Sequence, residues 1–331
     1  MPYNESFRWG ILGPGSIAKQ FARGLLHSPQ AQLFGVAGRS QSNVQAFAAE
    51  FNVPRAFASH EELLASSEID AVYIATPHPF HLSLVEKACA AKKAVLCEKP
   101  MTPNFAGTSR AISAAKQQGT FLMEALWTRF VPAVAQALSW VKEGKIGEPR
   151  LVEASFGFRM GWHPESRLLA PELAGGSILD VGVYTIALCQ WVFEKEPTAV
   201  KALGHVGETG VDEQAAILLR YSGGELGVLN SAVRTNTRHV ATIYGTEGRV
   251  SIGEPFWKST QVTLSAGGKE ETLTLPFRGN GYEYEADEVQ RCVRAGLLAS
   301  PLVPWDQSLA IAKIMDAARL ELGVRYPFEE N

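Results

Sequence analysis

The sequence has few cysteines and no large excess of charge of either sign. Its 331 residues include only four cysteines, which are scattered, with no C-x-x-C pair and no spacing typical of a metal site. We therefore expect buried free thiols in a reducing compartment and no metal. The formal net charge of -3 provides no basic field for a nucleic acid or an anionic membrane surface.

Long apolar runs are also missing. No uninterrupted run reaches the roughly 18 residues of a membrane span, and the first six residues lack the basic and apolar regions of a signal peptide. These absences predict a cytoplasmic protein without a membrane partner. The composition, with 46% hydrophobic and 20% charged residues, is ordinary for a globular chain, and the length favours two domains.

A glycine-rich turn follows the first predicted strand, Phe7–Leu12. It reads G-P-G-S-I-A over 13–18 and runs into a helical pattern. The first glycine permits a tight turn, the second leaves room for a pyrophosphate, and the N–H groups that begin the helix can bind phosphate. A bare glycine triplet is often only a turn, but between a strand and a helix it favours dinucleotide binding through Gly13, Pro14, Gly15, Ser16 and Ile17.

The second predicted strand, 32–37, ends without a carboxylate. Strands at this position in NAD-binding folds usually end in Asp or Glu, which holds the ribose 2′-hydroxyl. Here Gly38 is followed by Arg39 and Ser40. A guanidinium and a hydroxyl favour a 2′-phosphate, so we predict NADP(H) as the cofactor. The alternative is a surface arginine on a solvated loop.

A short apolar strand, 94–97, stops abruptly at Glu98, Lys99 and Pro100. Ligands of open α/β sheets bind outside the carboxyl ends of the strands, so this pair is a candidate for chemistry, although a solvated pair is the common case. Further strands near 70–75 and 120–124 alternate with helices. This alternation predicts a doubly wound parallel sheet of the Rossmann type in a first domain, 1–124.

The remainder, 125–331, has a different pattern. Seven strand-like segments recur between 198 and 275 with few helices, which predicts an α+β domain with a large, mostly antiparallel open sheet. The fold class is therefore α/β with an α+β second domain. The open face of that sheet predicts a homodimer through the second domain. A helix over 305–322 closes the chain and could pack back on the first domain.

Asp180 and Tyr184 lie four residues apart in an apolar helical pattern, so they share one face. A core tyrosine with an aspartate near the helix start is the alternative interpretation. The preceding polar loop, 160–174, is long enough to line a site and contains Arg167. Trp257 lies on a predicted loop, where it could form an aromatic wall or belong to the core.

Three motifs together are much more specific than any one of them. They are A-T-P-H-P-F-H at 75–81, C-E-K-P at 97–100 and M-E-A-L-W-T-R-F at 123–130. With the glycine turn, they make the chain resemble the family of glucose–fructose oxidoreductase and inositol dehydrogenase (Gfo/Idh/MocA). Within that family it is similar to the branch of dimeric dihydrodiol dehydrogenases and NADP-dependent D-xylose dehydrogenases. The resemblance covers essentially the whole chain.

The resemblance implies hydride transfer between NADP(H) and a CH–OH or C=O carbon of a sugar, a trans-dihydrodiol or a dicarbonyl. Tyr184 would be the acid/base group, Lys99 would stabilise its phenolate, and Asp180 would orient a substrate hydroxyl. An ordinary phenol has a pKa of about 10, and a nearby cation lowers it. Whether Lys99 or Tyr184 transfers the proton stays open, because coupled groups titrate as a pair.

The resemblance also implies a set of contact residues. Those for the cofactor, beyond the glycine turn and Arg39-Ser40, are Thr76, Pro77, His81, Glu98, Lys99, Trp127 and Arg129. Those for the substrate are Trp127, Phe156, Arg167 and Trp257. An NAD-dependent glycoside hydrolase and a non-catalytic NADP-sensing regulator are the alternatives. The Arg39-Ser40 pair argues against the first alternative, and the presence of both Lys99 and Tyr184 argues against the second.

Overall fold

The computed structural model describes residues 6–329. Residues 1–5 and 330–331 lie outside the described residues. The prediction that the chain begins without a signal peptide falls on the first of these segments, and the predicted end of the second domain falls on the other. The chain forms two compact units, one of Met1–Thr102, Ala106–Trp127 and Arg278–Trp305, the other of Pro103–Phe105, Thr128–Phe277 and Asp306–Asn331. The sequence predicts a single boundary after residue 124. It does not predict that residues 278–305 belong to the first unit.

The first unit contains a six-stranded parallel sheet, as predicted. Its order is β3-β2-β1-β4-β5-β6, the doubly wound arrangement. The strands are β1 (Phe7–Leu12), β2 (Ala31–Ala37), β3 (Arg55–Ala56), β4 (Ala71–Ile74), β5 (Ala94–Glu98) and β6 (Leu122–Ala125). The helices are α1 (Ser16–Leu25), α2 (Gln41–Phe51), α3 (His60–Ala65), α4 (His81–Ala90), α5 (Phe105–Gln118) and α8 (Tyr282–Arg294).

Aromatic packing anchors the centre of this sheet. Phe21 on α1 stacks on Tyr73 of β4 with ring centroids 3.9 Å apart, and its other neighbour is Trp9 of β1 at 5.2 Å. All three side chains are fully buried, and each such burial contributes roughly 1.5–3 kcal/mol. The packing fixes α1, and with it the glycine turn, over the ends of β1 and β4.

The second unit contains an eight-stranded sheet in the order β14-β13-β12-β11-β7-β10-β9-β8. All its neighbours pair antiparallel except β7 and β10, which pair in parallel. Its strands are β7 (Pro149–Gly157), β8 (Ala199–Val206), β9 (Asp212–Arg220), β10 (Leu226–Ala232), β11 (Ala241–Gly245), β12 (Gly248–Ile252), β13 (Gln261–Ala266) and β14 (Lys269–Thr274). Its helices are α6 (Pro132–Lys142), α7 (Val183–Phe193) and α9 (Trp305–Leu322).

Helix α7 is apolar on all sides and almost completely buried, as the sequence predicts. The stretch Pro171–Phe193 that contains it is long and apolar enough for a membrane span, but 94% of its most apolar part is buried inside the protein. Core helices commonly have this character. The four cysteines are free and buried, which confirms the prediction of buried free thiols.

Candidate functional site

The glycine turn between β1 and α1 is open on the side that a ligand would approach. Gly13 has φ +97°, and a Cβ there would lie 3.0 Å from the Ala75 carbonyl oxygen, so only glycine fits. A Cβ at Gly15 would meet nothing within 4 Å. Gly15 caps α1, so the first N–H groups of this helix, at Ser16 and Ile17, point toward that space.

A cleft of about 520 Å³ extends from this turn. Six of its lining residues were predicted as cofactor contacts: Gly13, Pro14, Arg39, Ser40, Thr76 and Pro77. The others were not: Asn43, His60, Phe80, Ser83, Leu84 and Lys87.

The donors and acceptors of the cleft suit a dinucleotide. Two of the lining residues, Thr76 and His60, each have a buried polar atom, Oγ1 and Nε2, with no hydrogen-bond partner among residues 6–329. Buried polar atoms are nearly always paired, so two orphaned atoms beside one cleft favour a polar ligand. The exposed Arg39 guanidinium lies over the Phe80 ring, 5.1 Å from its centroid. The residues present therefore fit a nicotinamide dinucleotide.

The end of the cleft beyond β2 is built by the start of α2. Ser40 is the N-cap of this helix, and its Oγ accepts a hydrogen bond of 3.4 Å from the Asn43 N–H. The Gln41 side chain donates to the Ala58 carbonyl at 2.7 Å, which fixes the segment before α3 against the start of α2. The cleft lining therefore includes the guanidinium of Arg39, the hydroxyl of Ser40 and the amide of Asn43.

The carboxyl end of β5 is held by a buried network. Glu98 is 6% exposed; it accepts from the Tyr73 hydroxyl and, at 3.1 Å, from the Lys99 backbone N–H. Beyond the cis Lys99–Pro100 peptide bond, the Met101 N–H donates to Glu124 of β6 at 2.8 Å. Residues on three strands thus fix the backbone that carries Lys99.

A second carboxyl group lies buried in this region. Glu285 on α8 is fully buried, and neither of its carboxyl oxygens has a hydrogen-bond partner among residues 6–329. Burial, followed by the nearby charge of Glu98, raises its pKa well above the usual range. Burial and Glu98 likewise raise the pKa of Tyr73, which keeps that hydroxyl a donor.

Glu285→Gln is expected to make stability less dependent on pH. The folded protein holds a proton on Glu285 that the unfolded chain releases above about pH 4.3. The stability due to this proton is complete below that pH and is lost as pH rises toward the folded-state pKa. Urea unfolding at several pH values should give the variant the same free energy of unfolding as wild type near pH 4. Above pH 4, as long as Glu285 stays protonated in folded wild type, the variant should become more stable than wild type by up to about 1.4 kcal/mol for each pH unit.

Glu283 provides a control of opposite sign on the same helix. Its carboxylate accepts hydrogen bonds from the N–H groups of Gly279, Asn280 and Gly281 at 2.8–3.2 Å. Glu283→Gln leaves one oxygen for three donors, so it should lower stability at every pH. Equal pH dependence in wild type and Glu285→Gln would contradict the assignment of a buried proton to Glu285.

His81 begins α4 and is fully buried. Its two ring nitrogens lie 2.7 Å from the Thr76 carbonyl oxygen and 3.0 Å from that of Pro100. Burial lowers the pKa of its imidazole. The ring thus links the segments that follow β4 and β5, and its role toward a cofactor stays a prediction.

Two other predicted cofactor contacts fall in different units. Trp127, at the end of the first unit, is buried and stacks on Tyr282 with centroids 4.5 Å apart. Arg129 belongs to the second unit, where its guanidinium lies 5.9 Å from the centroid of Trp191. Both remain predictions as cofactor contacts.

In the second unit, Asp180 lies in a π-helical turn, Ile178–Gly182, which leads directly into α7, where Tyr184 is the second residue. Such π-helical turns are rare in proteins overall, and those that occur are often found at functional sites. Asp180 is 5% and Tyr184 8% exposed, and Arg167 of the preceding loop donates to the Asp180 carboxylate at 2.8 Å. The π geometry was not predicted, and the sharing of one helix face by Asp180 and Tyr184 stays a prediction.

Buried polar groups fix the start of this turn. Asp212 accepts from the Ser177 hydroxyl at 2.8 Å and from the Ile178 N–H at 2.7 Å. Burial raises its pKa to about 6. Gly176, with φ +114°, approaches Asp212 so closely that a Cβ would lie 2.3 Å from its carboxylate. The Tyr326 hydroxyl donates a hydrogen bond of 2.6 Å to the carbonyl oxygen of the adjacent Gly175.

An aromatic cluster adjoins Tyr184. Phe156 at the end of β7 stacks on Trp257, with centroids 3.4 Å apart and planes nearly parallel, and it lies 5.5 Å from Tyr184. His239 packs against both stacked rings, at 4.6 and 5.2 Å, and its Nε2 lies 2.7 Å from the Gly157 carbonyl oxygen. The cluster therefore places stacked aromatic rings beside the phenol of Tyr184.

Sequence reasoning missed His60, His239 and Glu285. His60 follows a Ser that caps a short helix, and His239 lies between strands. Neither has a motif around it. Glu285 reads as an acidic residue in the first turn of a helix, which is usually exposed. Only the tertiary structure reveals their positions.

Comparison with known proteins places both halves of the chain. Residues 7–126 match the oxidoreductase family with an NAD-binding Rossmann fold, and residues 134–251 match the GFO/IDH/MocA C-terminal domain. The chain belongs to the GFO/IDH/MocA family. It is therefore an oxidoreductase with an NAD(P)-binding Rossmann fold, which confirms the family and fold class predicted from the sequence.

Individual GFO/IDH/MocA proteins are similar over almost the whole chain. The mouse (Mus musculus) trans-1,2-dihydrobenzene-1,2-diol dehydrogenase is 37% identical, covering 98% of this chain and 100% of its own. An aldose-aldose oxidoreductase from Caulobacter crescentus, solved with glycerol, has a TM-score of 0.87 at 24% identity, covering 97% and 99%. A 3-ketoreductase from Actinomadura kijaniata, solved with NADP and TDP-benzene, has a TM-score of 0.83 at 24% identity, covering 96% and 98%.

Proposed function

We propose that this protein is an NADP(H)-dependent dehydrogenase or reductase. It would transfer hydride between the nicotinamide and a CH–OH or C=O carbon of a sugar, a trans-dihydrodiol or a dicarbonyl. The observation that carries the proposal is that Asp180 and Tyr184 are both buried where the π-helical turn leads into α7, with the Tyr184 ring beside the stacked rings of Phe156 and Trp257. A phenol and a carboxylate on an apolar helix face suit general acid/base work on a hydroxyl group.

Each protein group has a defined part in the oxidative direction. Hydride acceptance from the substrate carbon is the chemistry that the nicotinamide supplies when bound. Tyr184 takes the proton from the hydroxyl as its carbon becomes a carbonyl. The Lys99 ammonium favours the phenolate form of Tyr184. Asp180, held by Arg167 at 2.8 Å, accepts a hydrogen bond from the substrate.

The choice of NADP(H) rests on the cleft end beyond β2. Arg39 and Ser40 lie there with the capped start of α2, and no carboxylate follows the strand. A 2′-phosphate carries about two negative charges near neutral pH. Guanidinium, hydroxyl and helix N–H groups suit such an anion, whereas a ribose 2′-hydroxyl calls for an acceptor.

Arg39→Ala is expected to weaken NADP+ binding by about tenfold to a hundredfold, since a hydrogen bond to a charged group contributes about 1.5–3 kcal/mol. NAD+ binding should change less than about twofold, because NAD+ has no 2′-phosphate to lose this contact. Dissociation constants from fluorescence titration check the result. Arg110→Ala, which removes a guanidinium paired with Glu86 on the surface, is the control. An equal loss for both cofactors would contradict the assignment.

The substrate class follows from the aromatic cluster. The Phe156–Trp257 surface accepts the apolar face of a sugar ring or an arene-derived diol. The 37% identical mouse protein is named for a trans-dihydrodiol, which supports testing that class first. Aldoses and dicarbonyls are the other classes that the cluster fits.

We further propose that the protein is a homodimer formed by the second unit. On β9 Ala215, Ile217 and Leu219 are buried, whereas Leu218 on the opposite face is 54% exposed. Leu203 and Leu226 on the neighbouring strands are 82% and 44% exposed. Exposed leucines on one sheet face fit a second copy of the same surface. Sedimentation equilibrium should show a dimer that Leu218→Asp dissociates; a monomeric wild type would contradict this.

The function is tested by incubating the purified protein with NADP+ or NAD+ and a panel of aldoses and cyclic trans-diols, and with NADPH and dicarbonyls. We expect NADP+ reduction with at least one class. Glycoside cleavage without net NADPH formation would favour the hydrolase alternative. Tight NADPH binding with no turnover across the panel would favour a sensor.

A further inference from the structure

His60 lines the same cleft as Arg39 and Ser40, and it lies near enough to Arg39 for the guanidinium charge to act on its imidazole. It is the first residue of α3, and the Gln41–Ala58 hydrogen bond fixes the segment before it against the start of α2. Its Nε2 is buried and has no hydrogen-bond partner among residues 6–329. Buried polar atoms are nearly always paired, and rotation of this partly exposed ring toward the cleft would let the nitrogen pair with a ligand atom there.

The charged groups around His60 favour an anion. Arg39 approaches from the loop after β2, and Lys87 from α4, where its ammonium pairs with Glu61 of α3 at 2.7 Å. Glu62, also on α3, accepts instead from the Ala58 N–H. Two cations and one neighbouring carboxylate therefore face the imidazole within the described residues.

We propose that His60, in its protonated form, is a ligand of the cofactor's 2′-phosphate, so that NADP(H) binding takes up a proton and NAD(H) binding does not. This inference rests on the proposed use of NADP(H). It makes His60 a specificity-determining residue whose contribution depends on pH. A protonated imidazole donates a charge-assisted hydrogen bond to a phosphate oxygen.

The direction of the coupling follows from the surroundings. In the free protein, burial lowers the pKa of His60; Glu61 raises it, and Lys87 and Arg39 lower it. The imidazole is therefore mostly neutral near pH 7 before binding. A phosphate dianion beside Nε2 favours the charged form, so binding raises the pKa and a proton enters from solvent.

The test measures binding of 2′,5′-ADP and 5′-AMP, which carry the adenosine end with and without the 2′-phosphate. Isothermal titration calorimetry in buffers of different ionisation enthalpy counts the protons taken up. Wild type should take up a large fraction of a proton with 2′,5′-ADP near pH 7 and almost none with 5′-AMP. His60→Gln should reduce that uptake and weaken 2′,5′-ADP roughly tenfold near pH 6, but much less above about pH 8.

The comparison with His60→Gln is needed because the 2′-phosphate itself titrates with a pKa of about 6. The free ligand titrates in the same way in both experiments, so the difference in proton uptake between the two proteins reports the coupled pair of His60 and the bound phosphate. His60→Asn, with a shorter amide, is a second variant, and circular dichroism confirms that both are folded. Equal proton uptake in wild type and both variants, or an equal loss for 2′,5′-ADP and 5′-AMP, would overturn the inference.

These outcomes are separate from a failure of the proposed cofactor. If wild type binds NAD+ as tightly as NADP+ and 5′-AMP as tightly as 2′,5′-ADP, the NADP(H) assignment fails and His60 has no phosphate to bind. If wild type prefers NADP+ and Arg39→Ala removes the preference while His60→Gln leaves it unchanged at every pH, only the His60 inference fails.

Discussion

Replacing Tyr184 with phenylalanine is expected to lower kcat by about 10³, within the range of general acid/base catalysis. The variant loses one oxygen atom and keeps the ring, which packs 5.5 Å from Phe156 and is 8% exposed. Fold and cofactor affinity should therefore persist. Steady-state rates of NADPH formation, together with NADP+ dissociation constants, check both parts.

Tyr221→Phe is the matched control in the same unit. Tyr221 is 1% exposed, and its hydroxyl has no hydrogen-bond partner among residues 6–329. Removing that hydroxyl should leave kcat unchanged and stability equal or higher, because an unpaired buried hydroxyl is unfavourable. A Tyr184→Phe enzyme with wild-type turnover would remove Tyr184 from the proposed reaction.

Lys99→Met is expected to lower kcat by a comparable factor, about 10²–10⁴, with a different signature in pH. Methionine keeps most of the apolar stem and removes the ammonium. Without this cation the phenol of Tyr184 gives up its proton only at higher pH. The remaining activity should therefore rise toward alkaline pH, and the pH–activity profile should be shifted to higher pH than that of wild type.

Lys92→Met is the matched control, because Lys92 lies at the other end of the same strand. Lys92 precedes β5, and its exposed ammonium donates to the Gln118 carbonyl at 2.6 Å. Its loss should change turnover less than about twofold, as for most surface substitutions. If Lys99→Met kept the wild-type rate and pH profile, the assignment of Lys99 to the proton-transfer step would be wrong.

Much of the fold could be predicted because regular patterns determine it. The bounds of β1 and α9 agree with the sequence prediction, and β5 extends one residue further, to Glu98. Strand β3 has only two residues, too few to form a pattern. The parallel pairing of β7 and β10 joins segments that are far apart in sequence, so local periodicity says nothing about it.

The candidate site was predictable only where motifs carry it. The glycine turn, the Arg39-Ser40 end and the Asp180–Tyr184 spacing are visible in the sequence. The π-helical turn is not, because it depends on hydrogen bonds that buried groups such as Asp212 stabilise. Glu285 and His60 matter through neighbours on other elements, and no single sequence pattern places a carboxyl group beside Glu98 or an imidazole beside Arg39.

The central claim is that hydride passes from a substrate C–H bond to NADP+. It is tested most directly with a panel substrate deuterated at the reacting carbon, followed by mass spectrometry of the NADPH and the product. The account predicts one deuterium in each NADPH and one oxidised product for each NADPH formed. Product without accumulated NADPH, or NADPH without deuterium, would contradict it.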